Sequence, residues 1–257
     1  MTEPRDPIRW REKFLAFAVH FVATALLGAV AAALIFLVWF PAPFASMVGG
    51  TELFMLVVGC DLALGPLMSL VIYNSRKPRR KLIIDYVIVG IVQLAAMIYG
   101  VDVVAESRPV YVAFSGDRLE IVAAGDIRPD ELAKASAPRY ASIPWTGPRL
   151  ISIVVPDADH NDALFESLSG NEEHQRPKFY APYEAELARL RSRAGTVAAL
   201  EKKFPRRRTE IEAAVRQTGL PPERVRWLPV RHIQGFWTAF VDVDSGLPQV
   251  YLDLDPY

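Results

Sequence analysis

Cysteine is almost absent from this sequence: Cys60 is the only one in 257 residues, and it sits inside an apolar run. A single thiol excludes an intrachain disulfide and any cysteine-based metal site. The soluble part therefore has to hold together by core packing, for which roughly 150 residues suffice. Net charge is absent as well, with 29 basic and 29 acidic residues, so the balance itself says nothing about nucleic acid or acidic partners; no nucleic-acid partner is expected. Catalytic signatures are missing too. There is no Gly-x-Ser-x-Gly, no P-loop and no Gly-x-Gly-x-x-Gly. His160, His174 and His232 are scattered without metal-site spacing. The stretch DADHND opens like a calcium loop at Asp157, Asp159 and Asn161, but Asp162 stands where the loop needs Gly and Leu168 where it ends in Glu. Asp242 and Asp244 read as the polar face and turn of a hairpin. No catalytic residue, no cofactor site and no metal site is expected, so the chain does not read as an enzyme.

Long apolar runs are what the sequence does have. Three are long enough to cross a bilayer, which needs about 20 apolar residues per helix: about 14–40, 53–73 and 82–104. The first follows a short N-terminus (1–13) carrying Arg5, Arg9, Arg11 and Lys13. It is longer than a signal-peptide core and ends in a poor cleavage site, Pro-Ala-Pro-Phe, so it reads as an uncleaved anchor. Between the second and third runs, NSRKPRRK holds Arg76, Lys77, Arg79, Arg80 and Lys81 with no acid, whereas Pro41 to Glu52 has no Lys or Arg. The positive-inside rule then puts the N-terminus and the basic loop in the cytoplasm and everything after the third run outside. Residues 14–106 form a three-helix transmembrane region, and residues 107–257 a periplasmic domain, with no flexible linker before Pro109.

That outer domain reads as strand, turn and strand in SRPVYVAFSGDRLEIVAAGDI, a helix start at RPDEL and a short strand in PRLISIVVPD. A short helix, DALFESLSG, closes at Gly170. A longer helical pattern after Pro182 uses Leu187, Leu190, Val197 and Leu200, interrupted by Gly195, and RRRTEIEAAVRQTG forms a helix ending at Gly219. VRWLPVRH, FWTAFVDVD and PQVYLDLD read as three antiparallel strands. The order of elements predicts an α+β domain with a mostly antiparallel sheet.

Polar residues inside the apolar runs are the candidate site. At 1.5 Å of rise per residue, Asp61 lies roughly 18 Å deep from the cytoplasmic end of its run, with Gln93 at about 16 Å and Thr24 at about 15 Å. His20, Ser69 and Asp85 form a second set at roughly 5–9 Å. A lone carboxyl in lipid is costly, so Asp61 faces the bundle. Gly65-Pro66 frees a backbone carbonyl one turn earlier and is expected to bend the helix. Two readings stand. Asp61, Gln93 and Thr24 either glue the three helices together, or form a polar notch, with Gly65 and Pro66, that receives a polar group from another transmembrane helix. Ala25, Ala29 and Ala33 make a small-residue face that permits close helix contact. An aspartyl-protease reading of Asp61 and Asp85 is disfavoured by their different depths and by the lack of Gly-x-Gly-Asp.

Five blocks in this order, VWFPAPF, GCDLALGPLMSLVIYN, QLAAMIYGVDVVAESRPVYVAFSGDRLEIV, IPWTGPRLIS and RPKFYAPY, resemble the type IV pilin accessory proteins of the TfpX/TfpZ group. The resemblance covers Phe14 to about Tyr183 and is weaker over the last seventy residues. Phe40 and Phe44 stand where the group often has Tyr, and Leu119 where it has Phe. The resemblance implies a non-enzymatic inner-membrane factor in pilus (fimbrium) biogenesis. Such a factor binds a cognate type IV pilin and modulates its stability, assembly or membrane extraction, alongside other pilus assembly proteins and the lipid bilayer. A membrane-bound hydrolase acting on pilin or envelope material is the alternative.

Overall fold

The computed structural model describes residues 10–74 and 77–257; Arg5, Arg9 and Arg76, used above for orientation, lie outside the described residues. The chain divides into two compact units. One ends its first segment at Leu37 and resumes over Thr51–Ala105, and the other joins Val38–Gly50 to Glu106–Tyr257.

The helical unit is built from three long apolar elements. Helix α1 (Trp10–Leu34) runs on through a π-helical turn, Ile35–Trp39, before Pro41 stops it. After a single turn α2 (Phe44–Met47) come α3 (Gly50–Ile72) and α4 (Arg79–Ser107). Among the described residues, three helices are long and apolar enough to cross a membrane. Glycines set their close approach. A Cβ at Gly28 of α1 would come within 2.9 Å of Val58, and one at Gly100 of α4 within 2.4 Å of Val57. Pro66 lies inside α3, yet the helix is unbroken from Gly50 to Ile72. The proline's lack of an N–H leaves the Leu62 carbonyl without a backbone partner in the ladder.

The second unit is a mixed α+β domain. Strand β1 (Pro109–Ser115) turns at Gly116 into β2 (Arg118–Ala123), and α5 (Pro129–Leu132) follows with Pro at its start. Then come β3 (Arg149–Ile153), α6 (His160–Leu168) and β4 (Tyr180–Pro182). The helical pattern after Pro182 is broken. It forms α7 (Leu187–Arg193), a two-residue strand β5 (Gly195–Thr196) and α8 (Val197–Lys203), because Gly195 pairs with Trp227 and leaves its Cα side to that indole. Helix α9 (Arg208–Gln217) ends before Gly219, and β6 (Val225–His232), β7 (Gly235–Asp242) and β8 (Pro248–Leu252) complete the sheet.

The strands run β4-β3-β1-β2-β6-β7-β8, with β5 on β6. This sheet is mixed rather than mostly antiparallel, since β1 pairs parallel with β3 and β2 parallel with β6. Parallel neighbours need long crossovers, and such crossovers fill residues 116–148 and 124–224. Alternation along a strand reports its faces but not its partner, which is why local patterning favours hairpins alone.

Both faces of β1 are buried. Val112 and Phe114 join a core with Leu119, Leu228, Val230 and Leu190, while Tyr111 and Ala113 join another with Ile151, Phe179 and Tyr180. The first core also contains Phe44 and Met47, from the short segment between α1 and α3. Met47 is fully buried, and the Phe44 ring packs edge-on against Tyr251. Burying side chains of this size contributes about 1.5–3 kcal/mol each, so the segment 38–50 is a structural part of this unit.

Candidate functional site

Within the helical unit, α1 and α4 leave a groove between them. Its wider part, about 510 Å³, is lined by Leu15, Val19 and Ala23 of α1 with Tyr86 and Gly90 of α4. A narrower part of about 140 Å³ continues to Thr24, Asp61, Gln93 and Met97. His20, Ala23 and Gly90 line both. The walls are mainly aliphatic, and polar groups sit at the floor. His20 Nδ1 lies 2.6 Å from Ser69 Oγ, and His20 Nε2 lies 2.8 Å from Gln93 Oε1. The Gln93 carbonyl oxygen can only accept, so His20 Nε2 donates to it. The three helices are thereby tied by one imidazole.

Gln93 reaches this position because Gly65 has no side chain: a Cβ there would stand 2.0 Å from Gln93 Nε2. Asp61 is 8% exposed, and its Oδ2 has no hydrogen-bond partner among the described residues. The Tyr86 hydroxyl is likewise buried without one. A buried oxygen without a partner costs about 1–3 kcal/mol relative to a satisfied one. The groove therefore presents two unused hydrogen-bonding groups beside an apolar channel.

The sequence-derived residues are distributed as follows. Thr24, Asp61 and Gln93 line the same cavity, and Gly65 and Pro66 are buried beside it. Gln93, however, bonds to His20 instead of to Asp61, so the two expected polar tiers are joined into one network. Asp85 stands apart from that network and pairs with Lys77 at 2.7 Å. The two carboxyls Asp61 and Asp85 therefore have separate surroundings. Ala25 is half-buried, Ala29 and Ala33 are exposed, and none of the three lines the groove. Depth counting places His20 in a separate tier and passes over Tyr86; an aromatic hydroxyl in an apolar run is the signal that could have found it. Among the described residues no cluster of His, Cys, Asp and Glu has metal-ligating geometry.

The chain is 30% identical over 245 residues to the fimbrial assembly protein of serogroup I from Dichelobacter nodosus, covering 92% of this chain and 95% of that one. It belongs to the fimbrial assembly protein family. The serogroup E1 protein of the same organism matches with the same identity and coverage. The protein of serogroups C1 and C2 is 37% identical over 129 residues, 49% of this chain and 98% of its own length. The family profile "Fimbrial assembly protein FimB" matches residues 8–49. No solved structure matches this chain.

The stretch that the FimB profile covers includes one wall of the groove, on α1, and the segment that enters the core of the second unit. In that unit, Trp39 and Trp145 pack edge-to-face at 5.3 Å, with the Arg108 guanidinium 5.7 and 5.8 Å from their rings. The second unit also buries a charge network. Glu120, 3% exposed, accepts from Arg118 at 2.8 Å and from Arg231 at 2.6 Å, and Arg231 continues to Glu172. Burial opposes the Glu172 charge, but Arg231 outweighs it and holds the carboxyl below the usual range. Burial lowers the His174 imidazole below its ordinary value of 6.5.

Proposed function

We propose that this chain is a non-enzymatic accessory factor of the bacterial inner membrane, of the type IV pilin accessory (TfpX/TfpZ) group, whose helical unit holds the apolar helix of a cognate type IV pilin. Holding that helix modulates the pilin's stability, assembly or extraction from the membrane. In this arrangement α1, α3 and α4 span the bilayer, Lys77, Arg79, Arg80 and Lys81 lie on the cytoplasmic side, and the mixed α+β unit is periplasmic. Membership of a family whose curated members are named for fimbrial assembly supports the pilus role.

The observation that carries the pilin-holding part is the groove between α1 and α4. An aliphatic channel suits a transmembrane helix, and the free Asp61 oxygen at its floor suits a polar group on that helix. In a bilayer an interhelical hydrogen bond contributes about 0.6 kcal/mol, rising to about 2. Such a contact aligns a partner without trapping it. Asp61, Gln93, Thr24, Gly65 and Pro66 are the partner-contacting set, with Ala25, Ala29 and Ala33 on an outward stripe.

Replacing Asp61 tests this directly. Asp61→Asn keeps shape and hydrogen bonding and is expected to leave accumulation and piliation intact. Asp61→Leu is expected to accumulate in the membrane yet lose pilin co-purification and surface pili. Full piliation by Asp61→Leu would reduce Asp61 to a packing residue and remove the notch.

A further inference from the structure

The chain passes from the helical unit into the second unit twice, at Val38 after α1 and at Glu106 after α4. Trp39 follows the first entry directly, and Arg108 follows the second. One loop of the second unit, residues 143–148, holds on to both. Trp145 packs edge-to-face on Trp39 at 5.3 Å, and the Pro144 carbonyl accepts from Arg108 at 3.3 Å. Gly147 lies so close to the Pro109 carbonyl that no Cβ would fit between them. Trp39 is buried in this arrangement, whereas Trp145 is 62% exposed.

Strand register brings a second apolar side chain to the same end of the sheet. Strand β1 starts here, with Pro109 opposite Ala123, the last residue of β2. Strand β3 starts beside it, directly after the loop, with Arg149 opposite Tyr111. Strand β6 runs parallel to β2, pairing Val230 with Leu119 and Arg231 with Glu120. Carried onward, that register sets the turn between β6 and β7 level with the end of β2. Ile233 in this turn is 88% exposed. The turn between β1 and β2, at Gly116 and Asp117, is at the opposite end of the sheet, about 20 Å away at 3.3 Å per residue.

A single exposed apolar side chain is ordinary. Here a tryptophan and an isoleucine stand exposed at the end of the sheet where two long apolar helices deliver the chain. An exposed cation, Arg149, accompanies them at the first position of β3. Tryptophan favours the boundary between acyl chains and headgroups, where its ring is buried and its N–H stays wet, and arginine pairs well with phosphate. We propose that this end of the sheet rests on a phospholipid surface, with Trp145 and Ile233 in the bilayer interface and Arg149 at the level of the lipid phosphates. The proposal rests on the reading of α1, α3 and α4 as membrane-spanning, and the test below separates the two.

The full-length protein carrying Cys60→Ser is reconstituted into vesicles of phosphatidylethanolamine and phosphatidylglycerol. Single nitroxide labels are placed on cysteines at Thr146 and Gln234, exposed neighbours of Trp145 and Ile233, at Asp117, and at Leu26 on the exposed side of α1. Relaxation by oxygen, which concentrates in the acyl chains, is compared with relaxation by a nickel chelate confined to water. Labels at 146 and 234 should be relaxed more by oxygen than by nickel, to a smaller degree than the label at 26, and the label at 117 by nickel alone. A Trp145→Ser, Ile233→Ser protein should lose the oxygen preference at 146 and 234. If 26 reports acyl chains while 146 or 234 behaves like 117, the proposal fails and the spanning helices stand. If 26 reports water, the spanning reading fails and takes this proposal with it. Shielding of 146 and 234 from both reagents would mark a protein partner or a second copy as the occupant and overturn the lipid assignment. An oxygen preference kept by the double variant would overturn the roles of Trp145 and Ile233. The labelled positions retain both side chains, so the comparison with 117 decides even if the double variant does not fold.

Discussion

His174 shows how burial at one residue sets a pH dependence. Its ring is enclosed in the second unit, 3.6 Å from Glu172, and burial lowers its proton affinity. The unfolded chain takes up a proton near pH 6.5, and the folded one only at lower pH. Stability is therefore full above about 6.5 and falls as pH drops through the window between the unfolded and folded values. Thermal unfolding of the full-length protein in detergent should show a midpoint that declines between about pH 7 and 5.5, and His174→Gln should flatten that decline. A midpoint independent of His174 across this window would mean the ring is solvated. At the same scale, depth counting finds Asp61, Gln93 and Thr24 from the sequence but misses the His20–Gln93 bond. Helical rise gives the height of a Cα, whereas a long Gln side chain crosses a full turn when a glycine makes room for it.

Gly65 carries that point to the element. Alanine is normally the better helix former, by about 1 kcal/mol. On α3 the order should reverse, because the new Cβ would occupy the space of the Gln93 amide. Gly65→Ala is expected to expel Gln93, break its bond to His20 and lower the thermal stability of the bundle; a stabilised Gly65→Ala protein would contradict the packing described. The segment 38–50 gives a second case. Pro41, Pro43 and the lack of charge mark it as a connection, and four helical residues are too few for any periodicity to show. Its role in the core of the second unit comes from contacts distant in sequence, such as Met47 with the β-sheet. Met47→Ala should destabilise that unit by about 2–5 kcal/mol, measurable as a lower denaturation midpoint followed by tryptophan fluorescence. The two parallel pairings are hidden for the same reason. The apolar content of PVYVAFS reveals a strand buried on both faces, but its neighbour β3 is set by the chain between them.

At the scale of the whole molecule, the proposed function assigns the pilin's membrane helix to the apolar three-helix unit with its polar-floored groove. The orientation rests on the basic residues around the start of α4. Reporter fusions after Asn74 should be cytoplasmic and fusions after Asp244 periplasmic; a cytoplasmic C-terminus would overturn the partner assignment. The central claim is that a pilin helix occupies the groove between α1 and α4. Photo-crosslinking residues placed at Ala23 and Gly90, which line the groove, and at Met55, an exposed α3 residue outside its lining, test it most directly in cells producing the pilin. Adducts with the pilin from positions 23 and 90 and none from 55 are the predicted result. Adducts of equal yield from all three positions, or none from 23 and 90, would contradict it.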